Sequence, residues 1–96
     1  MAKVMAVESL TNGVLRTYGE GEMLGEKIPN VEPFKSIEIK NPCIKLDSGR
    51  YVWGFQCWWG PIEKMQAKLG PIIKETIVIE ITDEEEILPI SEEPKA

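Results

Sequence analysis

The feature that most constrains the fold is a cluster of large rings in the middle of the chain. Five of the seven aromatic residues lie between Tyr51 and Trp59, directly after a turn sequence at residues 47–50. Each large ring removes more apolar area from water than any other side chain in this protein. The run therefore indicates where the core lies, although it points to no particular chemistry.

The length and composition predict one folded domain followed by a charged tail. The chain has 96 residues, of which 43% are hydrophobic and 28% charged, values typical of an ordinary folded domain. Acidic residues are concentrated at 83–86 and 92–93. We therefore predict a single domain over residues 1–82 and an acidic C-terminal tail over residues 83–96, which aids solubility. The alternative is that the acidic strip docks on a basic partner or mimics the charge of a nucleic acid.

Charge and residue usage exclude several classes of function. The net charge is −5 and no basic cluster is present, so the chain is poorly suited to bind nucleic acid. No apolar stretch approaches the ~18 residues that a membrane span needs, and no signal-peptide pattern is present. The chain has no histidine and only two cysteines, which argues against a metal site, a cofactor or a disulfide framework. We expect a cytoplasmic protein that binds neither nucleic acid nor membranes and needs no cofactor.

Local patterns predict the order of the secondary structure. Asn12-Gly13 favours a tight hairpin turn, and Pro61 with Gly70-Pro71 marks the start and the stop of a short helix. The glycine-rich stretch at residues 19–25 contains glutamates, and we interpret it as a flexible connection. The predicted strands are Lys3–Leu10, Val14–Tyr18, Phe34–Lys40, Cys43–Leu46, Tyr51–Trp59 and Glu75–Thr82.

These elements predict an α+β fold. We expect a small, curved antiparallel sheet of five or six strands, covered by one short helix whose apolar stripe faces the sheet. Ile77, Ile79 and Ile81 of the last strand are predicted to point inward. The alternative is a small, partly open β-barrel with the helix as a plug.

The register of the central hairpin can also be predicted. If Ser48-Gly49 is a two-residue turn, Ile44 pairs with Trp53. The bulky groups Trp53, Phe55, Cys57 and Trp59 then share the core face, whereas a shift by one residue divides the apolar set between two faces at roughly 1.5 to 3 kcal/mol per side chain. In the favoured register Val52, Gln56 and Trp58 lie on the opposite face.

That opposite face is the candidate binding site. Trp58 is a large amphipathic ring beside Gln56, and such groups are common at protein interfaces and on surfaces where sugars stack. The alternatives are that Trp58 closes the edge of the sheet over the start of the helix, or that a bulge turns it inward. We predict that Val52, Gln56 and Trp58 contact a partner.

No catalytic set is apparent. Cys57 is expected to be an inert thiol on the core face, because no histidine is available to activate it. Cys43, near the break at Asn41-Pro42, is expected to be the more accessible cysteine. The protein is therefore predicted not to be an enzyme.

The heavy use of isoleucine, glutamate and lysine in a short chain with a charged tail resembles small proteins of hyperthermophilic archaea and their rod-shaped viruses. The resemblance extends over the whole chain in composition and rests on no motif. It implies a thermophilic source, in which ion-pair networks add stability at high temperature. A viral origin implies action on a host protein in the host cytoplasm.

Two classes of function follow from these observations. We favour a non-enzymatic protein-interaction module that self-associates, with a homodimer as the expected state, through an exposed sheet edge or the face that bears Val52, Gln56 and Trp58. The alternative is a binder of small ligands or carbohydrates in which Trp58 or Trp59 stacks on the ligand and nearby glutamates accept hydrogen bonds from its hydroxyls.

Overall fold

The computed structural model describes residues 3–90 and shows an open sheet of six strands with one short helix packed against it. The α+β class predicted from the sequence is confirmed, and the sheet does not close into a barrel. The strands are β1 (Lys3–Thr11), β2 (Val14–Lys27), β3 (Asn41–Leu46), β4 (Tyr51–Trp53), β5 (Trp58–Pro61) and β6 (Glu75–Val78), and the helices are α1 (Phe34–Ile37), α2 (Ile62–Leu69) and a 3-10 turn at Gly70–Ile72. The strand order is β4-β3-β2-β1-β5, and β6 pairs with β2.

The first hairpin forms as predicted, but its second strand is much longer. Asn12 and Gly13 take φ angles of 53° and 81°, as a tight hairpin turn requires. The predicted flexible connection at residues 19–25 is wrong, because β2 continues through it to Lys27. A side chain at Gly21 would place its Cβ 2.5 Å from the Lys45 carbonyl oxygen. Gly21 therefore allows close strand pairing, whereas Gly19 and Gly25 have open space around them and take φ angles of 100° and 93° within the strand.

The length of β2 lets two strands share one of its edges. β3 pairs antiparallel with residues 21–27, and β6 pairs parallel with residues 14–17. β5 runs parallel to β2, because both strands are antiparallel to β1. α2 carries the chain from the end of β5 back to the start of β6, so that β6 points the same way as β5 and is therefore parallel to β2.

The predicted last strand is therefore only partly correct. It ends at Val78 and not at Thr82, and Ile77 stays 37% exposed although it was predicted to point inward. Ile79 and Ile81 lie beyond the strand and are half-buried. Ile81 packs against the core cluster.

The register predicted for the central hairpin is wrong by one residue. Ile44 lies opposite Val52, and Cys43 lies opposite Trp53. The cause is the turn: the Leu46 N–H donates to the Arg50 carbonyl oxygen at 2.7 Å, so that three residues connect the arms instead of two. The third of these residues, Gly49, has a φ of 96°, which is typical of three-residue hairpin loops.

The second arm of this hairpin is shorter than predicted. β4 ends at Trp53, because a turn follows in which the Gln56 N–H donates to the Trp53 carbonyl oxygen at 2.8 Å. Residues 58–61 form β5 on the far side of the sheet, where they pair with β1. Phe55 and Trp59, which were predicted to lie in the core, are 45% and 38% exposed.

The strand predicted at Phe34–Lys40 is also wrong, because residues 34–37 form α1. The Glu32 carboxylate accepts hydrogen bonds from the Ser36 N–H at 3.0 Å and from the Ser36 hydroxyl at 2.7 Å. These local bonds favour a helical turn over an extended strand. Phe34 stacks on Phe55 with 4.7 Å between the ring centroids.

The main core is formed by side chains of β1, β3 and β4. Its buried members are Val4, Ala6, Ile44, Leu46 and Val52, with Tyr18, Met23, Cys57 and Ile81 packed around them. Thr17 is the buried polar residue of the sheet; its hydroxyl donates to the Ala6 carbonyl oxygen at 2.7 Å and accepts from the Gly19 N–H at 2.9 Å. Both hydrogen-bonding roles of the hydroxyl are used, which removes the cost of burying it.

The segment that follows β6 packs against β4 and β2. The indole N–H of fully buried Trp53 donates to the Ile87 carbonyl oxygen at 2.8 Å. Pro89 is buried and bridges to Pro29. The Ile90 N–H donates to the Ile28 carbonyl oxygen at 3.0 Å. Contacts with the sheet thus extend beyond the predicted boundary at residue 82 as far as residue 90, and the rest of the predicted tail, residues 91–96, lies outside the described residues.

Glu86 in the acidic run also contacts the sheet. Its carboxylate accepts from the Arg50 guanidinium and from the Tyr51 N–H, both at 2.9 Å. Arg50 also pairs with Asp83. The Glu86 side chain is only 13% exposed, so this acid ties the acidic run to the edge of β4.

The predicted helix is confirmed. α2 starts directly after Pro61, and its predicted apolar stripe of Ile62, Met65 and Leu69 is half-buried while its other residues are exposed. The helix contacts β5 and β1. A helix this short depends on such packing for its stability.

The burial of Trp53 leads to a stability prediction. Trp53→Ala removes a fully buried ring, so we expect the free energy of unfolding to fall by ~3 to 5 kcal/mol. Urea unfolding followed by far-UV circular dichroism measures this loss. Trp58→Ala is the matched control, because its ring is 63% exposed and its loss is expected to cost roughly 0.5 kcal/mol or less. Similar losses for the two variants would contradict this account of the core.

Candidate functional site

The structure does not bring the three predicted contact residues together on one face. Val52 is 1% exposed and belongs to the core. Gln56 is exposed, but its Oε1 accepts the Trp53 N–H at 3.0 Å within the turn after β4. Trp58 is 63% exposed on β5. The shared face does not exist because the strand predicted to carry all three ends at Trp53.

Trp58 belongs instead to a surface that the sequence analysis did not assemble. Its ring, the Trp59 ring and one side of α2 form a shallow cleft of about 210 Å³. We call this cleft the tryptophan surface, and its lining residues are Trp58, Trp59, Met65, Lys68 and Leu69.

The tryptophan surface is shaped by the junction between β5 and α2. Gly60 is buried, and a Cβ there would lie 3.2 Å from the Met65 sulfur. The missing side chain lets the helix approach the strand closely. Pro61, with a ψ of 138°, turns the chain from the strand into the helix. The two rings and the apolar stripe of α2 are thereby held side by side.

The tryptophan surface is apolar with one positive charge at its margin. Lys68 in the last turn of α2 is the charged lining residue, and no carboxylate is among the lining residues. The ammonium group suits the C-terminal end of a helix. Two tryptophan rings with methionine, leucine and a single cation resemble the composition of protein interfaces more than that of a site for a highly polar ligand.

Val52 and Gln56 line a separate cleft of about 230 Å³, together with Tyr18 and several charged residues. On its rim the Glu8 carboxylate pairs with the Arg16 guanidinium at 3.1 Å. The Ser9 hydroxyl and then Arg16 lower the pKa of Glu8.

Tyr18, which also lines this cleft, has a pKa raised above its usual value, first by burial and then by the negative charge of Glu8. The phenol therefore stays protonated at neutral pH.

Cys57 packs against the core cluster, as predicted for an inert thiol on the core face, whereas Cys43 does not lie where the sequence predicted. Cys43 is fully buried, and Cys57 is half-buried, so the prediction that Cys43 is the more accessible one is wrong. Burial raises the pKa of the Cys57 thiol to about 11. Its thiol donates to the Trp53 carbonyl oxygen at 3.5 Å. At neutral pH almost no nucleophilic thiolate is present at this position.

Within residues 3–90, no group of acidic or cysteine side chains is arranged to hold a metal ion. No helix in the same range is both long and apolar enough to cross a membrane. Comparisons of the chain with protein-family models, with curated proteins and with solved structures found no match.

Sequence reasoning identified Trp58 but missed Trp59, Met65 and Leu69 as its neighbours. The signal was present, because Pro61 starts a helix only two residues after Trp59, and the apolar stripe of that helix was recognised. α2 starts directly after β5 and packs against β5 and β1. That packing brings Trp58 and Trp59 beside Met65 and Leu69.

The raised pKa of Cys57 predicts slow and strongly pH-dependent alkylation. The thiol form dominates below pH 11, so we expect the rate with iodoacetamide at pH 8 to be about two hundredfold lower than in the urea-unfolded chain, where the pKa returns to ~8.5. The rate should rise about tenfold per pH unit up to pH 10. Peptide mapping by mass spectrometry follows Cys57 separately from Cys43. A rate that levels off near pH 9 would contradict the raised pKa.

Proposed function

We propose that this protein is a non-enzymatic interaction module that self-associates and uses the tryptophan surface to bind a protein partner. The observation that carries the proposal is the 63% exposure of Trp58 beside Trp59 and the apolar side of α2. Large exposed rings cost solubility, and the core of this sheet is complete without Trp58. Grouped apolar exposure of this kind is common where a partner binds.

The residue types support a protein as the ligand. Tryptophan and methionine are enriched in the buried centres of protein interfaces, and tryptophan is among the residues that contribute most to binding energy. Lys68 at the margin can pair with an acidic group of the partner while its aliphatic stem covers apolar surface. We therefore propose an apolar partner segment flanked by at least one carboxylate.

The carbohydrate-binding alternative receives less support from the lining of the cleft. A sugar site needs acceptors for hydroxyl groups beside the stacking ring, and the expected glutamates are not among the residues that line the tryptophan surface. Titration with oligosaccharides while tryptophan fluorescence is recorded distinguishes the two proposals. A saturable spectral shift would favour a sugar ligand over a protein.

Self-association is proposed to use a strand edge, because an open sheet leaves edges that can pair with another chain. The compositional resemblance to proteins of archaeal rod-shaped viruses extends the proposal. A viral origin would place the partner among host proteins in the host cytoplasm.

The proposal predicts that Trp58→Ala strongly weakens partner binding without unfolding the protein. Tagged wild-type protein should retain a partner from an extract of its native host in moderate salt, and Trp58→Ala should lose it. Leu88→Ala is the matched control, because Leu88 is 48% exposed and lies in the segment that packs at the opposite edge of the sheet. The captured protein is then purified, and calorimetry should show at least a tenfold weaker affinity for Trp58→Ala. Equal affinities for wild type and Trp58→Ala would refute the assigned surface.

A further inference from the structure

The outer edge of β6 is available for pairing. All four residues of β6 are exposed, with Val78 at 67% and Ile77 at 37%. In the described part of the chain β6 pairs with β2 on one side only. The strand contains no proline, lysine or glycine, which are the residues that commonly protect an edge strand from pairing.

The backbone of β6 presents hydrogen-bonding groups outward at two positions. The Glu75 N–H donates to the Gly13 carbonyl oxygen at 3.1 Å, and the Ile79 N–H donates to the Thr17 carbonyl oxygen at 2.8 Å. Successive residues of a strand direct their N–H and C=O groups to alternate sides. The backbone groups of Thr76 and Val78 therefore point away from β2.

The outer strands β4 and β5 are both partly blocked by the protein itself. Along β4, the Tyr51 N–H donates to Glu86 and the Trp53 N–H donates to Gln56, both through side-chain oxygens. β5 ends in Pro61, which has no N–H, and α2 packs against this strand. Within residues 3–90, no side chain caps the outward backbone groups of β6 in this way.

We propose that a second copy of this chain pairs its own β6 antiparallel with this edge, around a two-fold axis that passes by Ile77. The inference rests on the self-association proposed above and assigns it to a strand and a register. The resulting dimer has one continuous sheet across the two copies. Ile77 then meets Ile77 of the second copy at the axis, and exposed apolar area is removed from water.

The register follows from the backbone and from charge. In an antiparallel pair, a residue whose backbone groups point toward the partner strand lies opposite a residue whose backbone groups point back. Thr76 and Val78 must therefore each lie opposite a residue of the second copy whose backbone groups also point outward. With Ile77 on the axis, Thr76 lies opposite Val78 of the second copy, and both N–H···O=C bonds form in each such pair.

Lys74 and Glu80 flank β6 on either side, so the same register brings Lys74 close to Glu80 of the second copy, twice by symmetry. Opposite charges that lie close to each other across two strands are stabilising. The neighbouring allowed registers lose this match, since one shifts Lys74 toward Val78 and the other shifts Glu80 toward Thr76. Charge complementarity thus selects one register.

Charge exchange tests the proposal directly. Light scattering coupled to size-exclusion chromatography should give the wild type twice the chain mass of 10.8 kDa. Lys74→Glu and Glu80→Lys each place like charges opposite each other, so each should raise the dissociation constant of the dimer about tenfold or more. The double variant Lys74→Glu/Glu80→Lys should restore the wild-type value. An equimolar mixture of the two single variants should form a heterodimer, because their charges are complementary.

The control variant is Lys64→Glu, which makes the same charge change on the exposed side of α2 and should leave the dimer intact. Circular dichroism on each variant verifies folding. High salt should reduce the difference between the single variants and the wild type, because it screens exposed charges.

Each outcome has a distinct meaning. A wild type that stays monomeric at all concentrations overturns both self-association and the β6 assignment, but leaves binding at the tryptophan surface standing. A dimer that Lys74→Glu does not weaken, or that the double variant does not restore, overturns the β6 register while self-association survives. Hydrogen exchange gives an independent readout, because the Thr76 and Val78 amides should become protected only in the dimer.

Discussion

The hydrogen bond from the Trp53 N–H to the Gln56 side chain is the interaction on which the arrangement of rings depends. It occupies a backbone donor at the edge of β4, and the turn around it ends the strand. Gly54 lets this turn lie close to Pro42 of β3, because a Cβ at position 54 would be only 2.9 Å from the Pro42 side chain. The chain then crosses to the far side of β1 and delivers Trp58 and Trp59 to β5. One short turn therefore separates a buried ring from two exposed ones.

Edge protection explains several contacts that look unrelated. Glu86 and Gln56 occupy the free amides of β4, and Pro61 with α2 closes off β5. An open sheet needs such devices because unpaired edges recruit other chains. The acidic run after β6 is thus more than a solubilising segment, since one of its carboxylates contributes to the edge of the sheet. β6 combines an outward-facing backbone with exposed apolar side chains.

The elements that sequence predicted well are those set by local chemistry. The Asn12-Gly13 turn and the helix between Pro61 and Gly70 depend on residues within a few positions of one another, and both are confirmed. The Phe34–Lys40 segment alternates like a strand, but Glu32 and Ser36 form local bonds that favour a helical turn. The alternation of apolar and polar residues carries no information about those hydrogen bonds.

Features that depend on contacts between distant residues could not be predicted from local patterns. The hairpin register depended on a loop one residue longer than the shortest possible turn, and this single residue moved Val52 into the core. The parallel pairing of β6 depended on where α2 delivers the chain. Trp58 was predicted as a contact residue because its chemistry is visible in the sequence, whereas its neighbours Trp59 and Met65 depend on how the chain folds back.

The position of β5 in the strand order has a further consequence. β5 lies beyond β1, on the side of β2 opposite to β6. Two copies joined at β6 therefore carry their tryptophan surfaces at the outer margins of the joined sheet, where neither copy covers the other's. Such an assembly is bivalent, and a partner that presents repeated binding segments would be held with an avidity well above the affinity of a single contact.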